Sequence, residues 1–377
     1  MEISEKTVFR YGKNLRKGYT TGSCAAAASA AAVEMILGGD LTEQVSLTTP
    51  IGVVLDLDIE KIEIENDCVS CAVRKFSGDD PDITNGIYVH AKVKKISSGI
   101  HVLGGLGVGT VSEPGLSVEV GKSAINPVPM KMIVGEVRKI AEKYAYKKGF
   151  EIEISIPDGV RLAQKTYNPR LGIVGGISVL GTTGIVEPMS NKALVDTIKV
   201  EIDMLKAKGE DTVLVVPGNY GRDFARQQFG IEFEKAVQCS NFIGEALDYI
   251  AHIGFKNVIV MGHAGKLVKV AGGIMNTHSS VADCRMEILA AHTALVHTVD
   301  SEMIQVIMNS ITIDSANRLL KRIGINEKVW QSVGDKMIYH MGQRLGDDTG
   351  IFAVIFGEDG ILYQYGDSKI IKGVHGG

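Results

Sequence analysis

The chain has 377 residues, with 40 Lys plus Arg against 44 Asp plus Glu and a formal net charge of −4. That length exceeds one ordinary core and predicts two or three domains; the near-balance of charge gives no basic face for nucleic acid. Hydrophobic residues make up 45% and aromatics 6% with a single Trp, which excludes a disordered chain and argues against a base-stacking or membrane-belt surface.

In chain order, residues 18–24 (GYTTGSC) run into alanines and then Gly38 and Gly39, the start and stop signals of a helix. Residues 53–65 and 87–96 alternate apolar and polar side chains, as strands with one wet face do. Asn126 and Pro127 open a helix predicted over 128–148, and 151–157 alternates again. Together these predict an α+β N-terminal layered domain.

The second half has a different rhythm. A helix over 192–208 stops at Gly209, and 212–216 is an apolar run of the kind buried on both faces. Residues 217–221 (PGNYG) lead into a helix. A further helix over 241–252 ends at Gly254, and a second apolar run, 257–261, meets 262–266 (GHAGK). Strand, glycine segment, helix and strand again predict an α/β (Rossmann-like, mostly parallel sheet) domain. Helices over 281–299, 302–323 and 328–344 follow, then a hairpin from 351–356 and 361–364. The boundary falls near 190, giving domains 1–190 and 191–377, with a terminal hairpin that could pack back on the first.

Forty-four glycines are about 12% of the chain against a usual ~7%, so many turns or close backbone approaches are expected. Cys24, Cys68, Cys71, Cys239 and Cys284 are odd in number and widely spaced. With a charged start and no apolar leader, they predict reduced thiols in a cytoplasmic chain without a membrane span. Cys68 and Cys71 face opposite sides of a predicted strand and have no second ligand pair, so no metal site is expected.

Four segments carry unusual chemistry. Thr20, Thr21 and Ser23 at a helix start could receive an anion or act as a cap. Residues 78–82 (GDDPD) could hold a cation, orient a ligand or supply a base, and are equally ordinary turn sequence. Glycines 172, 175, 176, 181 and 184 suggest backbone lying against a flat, bulky ligand, with Arg161, Lys165 and Arg170 nearby to meet carboxylates. Finally, 217–222 and 262–266 stand at strand ends, where open parallel sheets bind ligands. The run from Gly262 to Lys266 is too short for a phosphate loop and lacks its Ser or Thr.

These stretches, with 124–129 (AINPVP), 168–190, 239–244 (CSNFIG) and 262–273, resemble the CbiD family, the cobalt-precorrin-5B (C1)-methyltransferases of anaerobic cobalamin synthesis. The approach 74–77 (RKFS) is less glycine-rich than that family's pattern. The resemblance implies methyl transfer from S-adenosylmethionine to C1 of a corrinoid that brings its own cobalt, giving cobalt-precorrin-6A and S-adenosylhomocysteine. It implies a small-molecule partner, no nucleic acid or membrane, and leaves self-association open.

On that basis Gly218, Asn219, Tyr220, Gly221, Gly262 and Gly265 are assigned to the methyl donor. Thr20, Thr21, Ser23, Arg161, Arg170, Thr182, Thr183, Lys266 and Lys269 are assigned to the acidic corrinoid, and Asp80 or His263 to proton transfer. A nucleotide-dependent phosphotransferase built on 262–266 and a non-catalytic corrinoid carrier are the alternatives.

Overall fold

In the computed structural model, which describes residues 7–10, 12–65, 67–231 and 236–371, the chain divides into the units Met1–Asn191 and Lys192–Gly377. Each mixes helices with parallel and antiparallel strands.

The first unit is built around a helix, α1 (Thr21–Gly38). Thr20 caps it by accepting from the Ser23 N–H, and Gly39 ends it in the left-handed conformation at φ 84°. Alanine leaves the helix apolar all round, and every residue from Thr21 to Val33 is buried. Among the described residues it is the one helix long and apolar enough to cross a membrane, and 78% of it is buried inside the protein.

A five-stranded sheet packs against α1: β1 (Glu60–Glu65), β2 (Cys68–Arg74), β3 (Tyr88–Ile96), β4 (Ile100–Gly104) and β5 (Gly149–Ser155), in the order β1-β2-β3-β5-β4. Only the β5–β4 pair is parallel. Alternation sends Val89, Ala91 and Val93, and Phe150, Ile152 and Ile154, into the core. The helix α2 (Pro127–Lys143) adds Ile133 and Val137 to the same core. The alternating stretch 53–65 is not one strand. Ile59 bonds back to the Glu43 carbonyl and Lys61 takes a positive φ, so Val54–Asp58 pairs with Gln44–Thr48 while β1 joins the larger sheet.

The second unit contains α3 (Asn191–Ala207), β6 (Thr212–Val216), α4 (Asn219–Phe229), β7 (Ala236–Gln238), α5 (Ile243–Ile253), β8 (Asn257–His263) and α6 (Ala264–Ala271). Then come α7 (Arg285–Val296), α8 (Ser301–Met308), α9 (Ile313–Arg322), α10 (Asn326–Leu345), β9 (Gly350–Gly357) and β10 (Gly360–Tyr365). The sheet order is β7-β6-β8-β9-β10, parallel until the last, antiparallel pair.

Both faces of this sheet are covered. Val213, Val215, Val258 and Val260 join a core with Trp330 and Met337, whereas Leu214, Val216, Ile259 and Met261 join another with Ala225 and Ile231. The terminal hairpin thus forms the last two strands of this unit's own sheet. The region 302–323 is two helices rather than one. Asn309 ends α8, and Thr312 starts α9 with a capping box to Ser315; these side chains compete with the backbone for hydrogen bonds.

Candidate functional site

In the first unit the expected anion site is a knot of internal hydrogen bonds. Thr21 Oγ1 donates to the Leu180 carbonyl and accepts from the Leu180 N–H. Ser23 Oγ donates to the Gly184 carbonyl at 2.7 Å, Gly22 N–H to Leu180 O and Thr20 N–H to Gly184 O. The start of α1 therefore holds the segment 180–184 as a clamp holds a cord. Thr21→Ala should leave the Leu180 N–H unsatisfied, its carbonyl still accepting from Gly22, and lower stability by about 1–3 kcal/mol, read as a shifted urea midpoint.

Several glycines of 172–184 are consumed by packing, although Gly175 has nothing within 4 Å of its side-chain position. A side chain on Gly176 would run into the backbone of Gly107, one on Gly159 would do likewise, and one on Gly181 would meet Thr20. Gly159 and Gly176 are glycine because backbone packs on backbone, and Gly181 because the Thr20 side chain fills the space. Thr183 bonds to Ile185, and Thr182 is exposed. Arg161 pairs with Asp158 on the surface, and Arg170 lies 5.6 Å over the Tyr167 ring.

The acidic turn is equally committed. Asp79 accepts from the Arg16 guanidinium and backbone N–H, which hold its carboxyl below the usual range. Asp82 accepts from Lys75 at 2.6 Å and from Ser77 and Thr84. Burial would raise its pKa, but Lys75 and Thr84 bring it below normal. Lys75, in the stretch that departs from the family pattern, is only 3% exposed. Asp80 Oδ1 accepts from the Met189 N–H at 2.8 Å, tying this turn to the end of the glycine-rich segment.

In the second unit the C-terminal ends of β6 and β8 stand side by side, where the strand order reverses, since β6 continues to β7 on one side and β8 to β9 on the other. Crevices of this kind receive ligands in parallel sheets. Only Pro217 and Gly218 separate β6 from α4, and nothing separates β8 from α6; Gly262 and His263 are strand, and Ala264 onward is helix. No phosphate-cradling loop exists at 262–266.

Each side chain there has a definite place. His263 Nδ1 accepts from the Gly265 N–H as the cap of α6, and Nε2 faces Asp314 Oδ2 at 3.4 Å. Asp314, buried at the start of α9, also accepts from the Glu358 N–H in the β9–β10 turn. Asn219 Oδ1 accepts from Gln238 and Arg222, and Tyr220 is 79% exposed. Lys266 Nζ donates to Pro217 O at 2.7 Å and to Ser240 O at 3.3 Å; burial depresses its pKa. Lys269 is buried, donates to Thr277 O and Ala282 O, and lies 3.6 Å from Asp283.

The glycines here differ in kind. A side chain on Gly221 would meet Met261 O at 2.6 Å, and one on Gly262 would meet Leu267 at 2.9 Å. Gly218 has extended backbone, and its side-chain position faces only Lys266 Nζ, at 4.0 Å. Asp314 was not visible beforehand, because it lies 51 positions from His263 within an apparently continuous helix.

A groove of about 810 Å³, lined by His292, Ser332, Asp335, Lys336 and Tyr339 among others, includes none of these residues. All five cysteines are free, and burial pushes the Cys24, Cys71 and Cys239 thiols up to about 12. Among the described residues no cluster of three or more His, Cys, Asp or Glu could hold a metal.

Residues 8–188 match the CbiD family and residues 276–366 the CbiD C-terminal domain. A curated relative from Ruminiclostridium cellulolyticum is 48% identical over 93% of this chain and 91% of its own length. The chain belongs to the CbiD family. That relative, and another from Thermoanaerobacter sp. that is 46% identical over 92% of this chain and 94% of its own, are named cobalt-precorrin-5B C(1)-methyltransferase. A crystal structure of the cobalamin biosynthesis protein cbiD from Archaeoglobus fulgidus is 31% identical, covering 75% of this CbiD chain and 89% of that one, with a TM-score of 0.41.

Proposed function

We propose that this CbiD protein is a cobalt-precorrin-5B C(1)-methyltransferase. It transfers a methyl group from S-adenosylmethionine to ring carbon C1 and yields cobalt-precorrin-6A and S-adenosylhomocysteine in anaerobic cobalamin synthesis. The observation that carries this reading is 48% identity to a curated enzyme of that name across nearly the whole chain. Cobalt belongs to the substrate.

We read the second unit as a Rossmann-like donor domain, with S-adenosylmethionine at the ends of β6 and β8. Supporting this, Gly218 leaves a side-chain position open that no packing demands. The sulfonium supplies an activated methyl and its own leaving group, so the protein's task is to hold reacting atoms about 3–3.5 Å apart with water excluded. Asn219 and Tyr220 contribute polar and aromatic contact, while Gly221, Gly262 and Gly265 keep strand ends and helices close.

The first unit is the candidate corrinoid-binding domain. Arg161 and Arg170 remain candidates for the acidic side chains, with Thr182 and Thr183 beside them in the glycine-rich segment. Thr20, Thr21 and Ser23 act by shaping 180–184. Lys269 supports the segment 277–282 instead of meeting substrate. His263, with both ring nitrogens engaged, positions α6; Asp80 retains Oδ2 for a proton.

Incubating the protein with cobalt-precorrin-5B and methyl-labelled S-adenosylmethionine should add one labelled CH₂ to the corrinoid by mass spectrometry. Binding of the ring without mass gain would identify a carrier instead. ATP should produce no phosphorylated product.

A further inference from the structure

We propose that Lys266 is the receptor for the α-carboxylate of the methyl donor, and that Gly218 is glycine to let that carboxylate reach it. The inference rests on donor binding at the ends of β6 and β8.

Lys266 is conspicuous among the lysines withdrawn from solvent. Buried Lys75 has Asp82 as counter-ion, and buried Lys269 has Asp283. Lys266 has no carboxylate within ion-pair distance among the described residues; its two partners are the Pro217 and Ser240 carbonyls. An ammonium carries three donors, so one N–H remains for a ligand. Lys266 is half-buried, and leaving a partly desolvated cation without an opposite charge carries a cost that an anionic ligand offsets.

Gly218 points to where the ligand lies. Its backbone is extended, a conformation open to any residue, and an added side chain would encounter only the Lys266 ammonium, at 4.0 Å. Packing explains glycine at 221 and 262 and does not explain it at 218. The vacant position lies 4.0 Å from the ammonium and meets no other atom within that distance, so a ligand beside Gly218 is within reach of Lys266. The start of α4, capped by no side chain, adds partial positive charge nearby.

This pairing gives the site a means of discrimination. A site with a half-buried cation awaiting an acid binds less well an analogue that lacks it, because the cation is then left without its counter-charge. The methyl donor without its α-carboxylate keeps the sulfonium and adenosine, so it isolates that one contact.

The test is calorimetric titration of the full chain with S-adenosylmethionine and with its decarboxylated analogue, alongside thermal melts. Wild type should prefer the carboxylate form by about tenfold or more, the worth of one charged hydrogen bond. Lys266→Met should weaken S-adenosylmethionine by a similar factor and bring the two ligands to equal affinity, with Lys266→Arg restoring part of the preference. Gly218→Ala should melt within a few degrees of wild type yet lose about tenfold for S-adenosylmethionine, while the decarboxylated analogue, with no carboxylate to obstruct, binds it as it binds wild type.

Equal binding of the two ligands by wild type overturns the proposal without recourse to any variant. Retained preference in folded Lys266→Met, with Gly218→Ala impaired, overturns the carboxylate assignment and leaves the donor site standing. Wild-type binding of both ligands by both variants removes the donor from this crevice, and the inference with it.

Discussion

Gly107→Ala should destabilise the first unit by about 3 kcal/mol or more, combining left-handed backbone strain with overpacking. Gly107 sits at φ +77°, and an added methyl would overlap the Ile156 carbonyl. Its own carbonyl is what side chains on Gly159 and Gly176 would strike, so three glycines meet at one crossing. The Ile177 N–H also bonds to this carbonyl, anchoring the glycine-rich segment there. Gly135→Ala supplies the contrast: it is exposed within α2 with nothing near its side-chain position, and should stabilise by about 0.5–1 kcal/mol. Urea unfolding of both variants checks the argument; a neutral Gly107→Ala would mean the crossing can open freely.

The second large effect is expected at Asp82→Asn, at about 3 kcal/mol, the lower end for breaking a buried pair because Asp82 is 24% exposed. The cost arises from Lys75, left charged and enclosed with Ser77 as its remaining hydroxyl partner. Adding Lys75→Met should recover much of the loss, since the stranded charge disappears with it. The pH dependence has a definite sign. Asp82 titrates below the ordinary aspartate value of about 3.9 when folded, so its contribution is complete above about pH 5 and is lost as pH falls through that depressed value. The stability gap between wild type and Asp82→Asn should hold steady near neutrality and close in strong acid. A gap unchanged at about pH 2 would show that carboxylate charge plays no part.

Local signals were the most readable part of this chain. Thr20 and Gly39 bracket α1 as hydroxyl and glycine do in isolated peptides, and Gly209 and Gly254 stop their helices by the same chemistry. The apolar runs at β6 and β8 are legible because a strand covered on both faces has no polar alternation to hide. Breaks were harder: nothing in residues 53–65 announces the turn at Ile59, and the apolar pattern runs through Asn309–Thr312 undisturbed.

Site chemistry was legible mainly through family resemblance. Lys75 with Asp82 and His263 with Asp314 are pairings that leave no periodic trace. Glycine density was the most instructive case. The sequence shows that a position carries no side chain; it does not show what occupies the space. Gly176 faces another stretch of backbone, Gly218 faces an ammonium and open room, and only coordinates separate the two.

Methyl groups alone line most of α1, and alanine has no rotamers to surrender on burial. The middle of the first unit is therefore ordered with little loss of side-chain entropy, but it also lacks the torsional freedom by which leucine or methionine cores adjust to a neighbour's displacement. Such a rod moves as one piece or not at all. Strain introduced near Gly39 should be felt at Thr20, about 28 Å away at 1.5 Å of rise per residue.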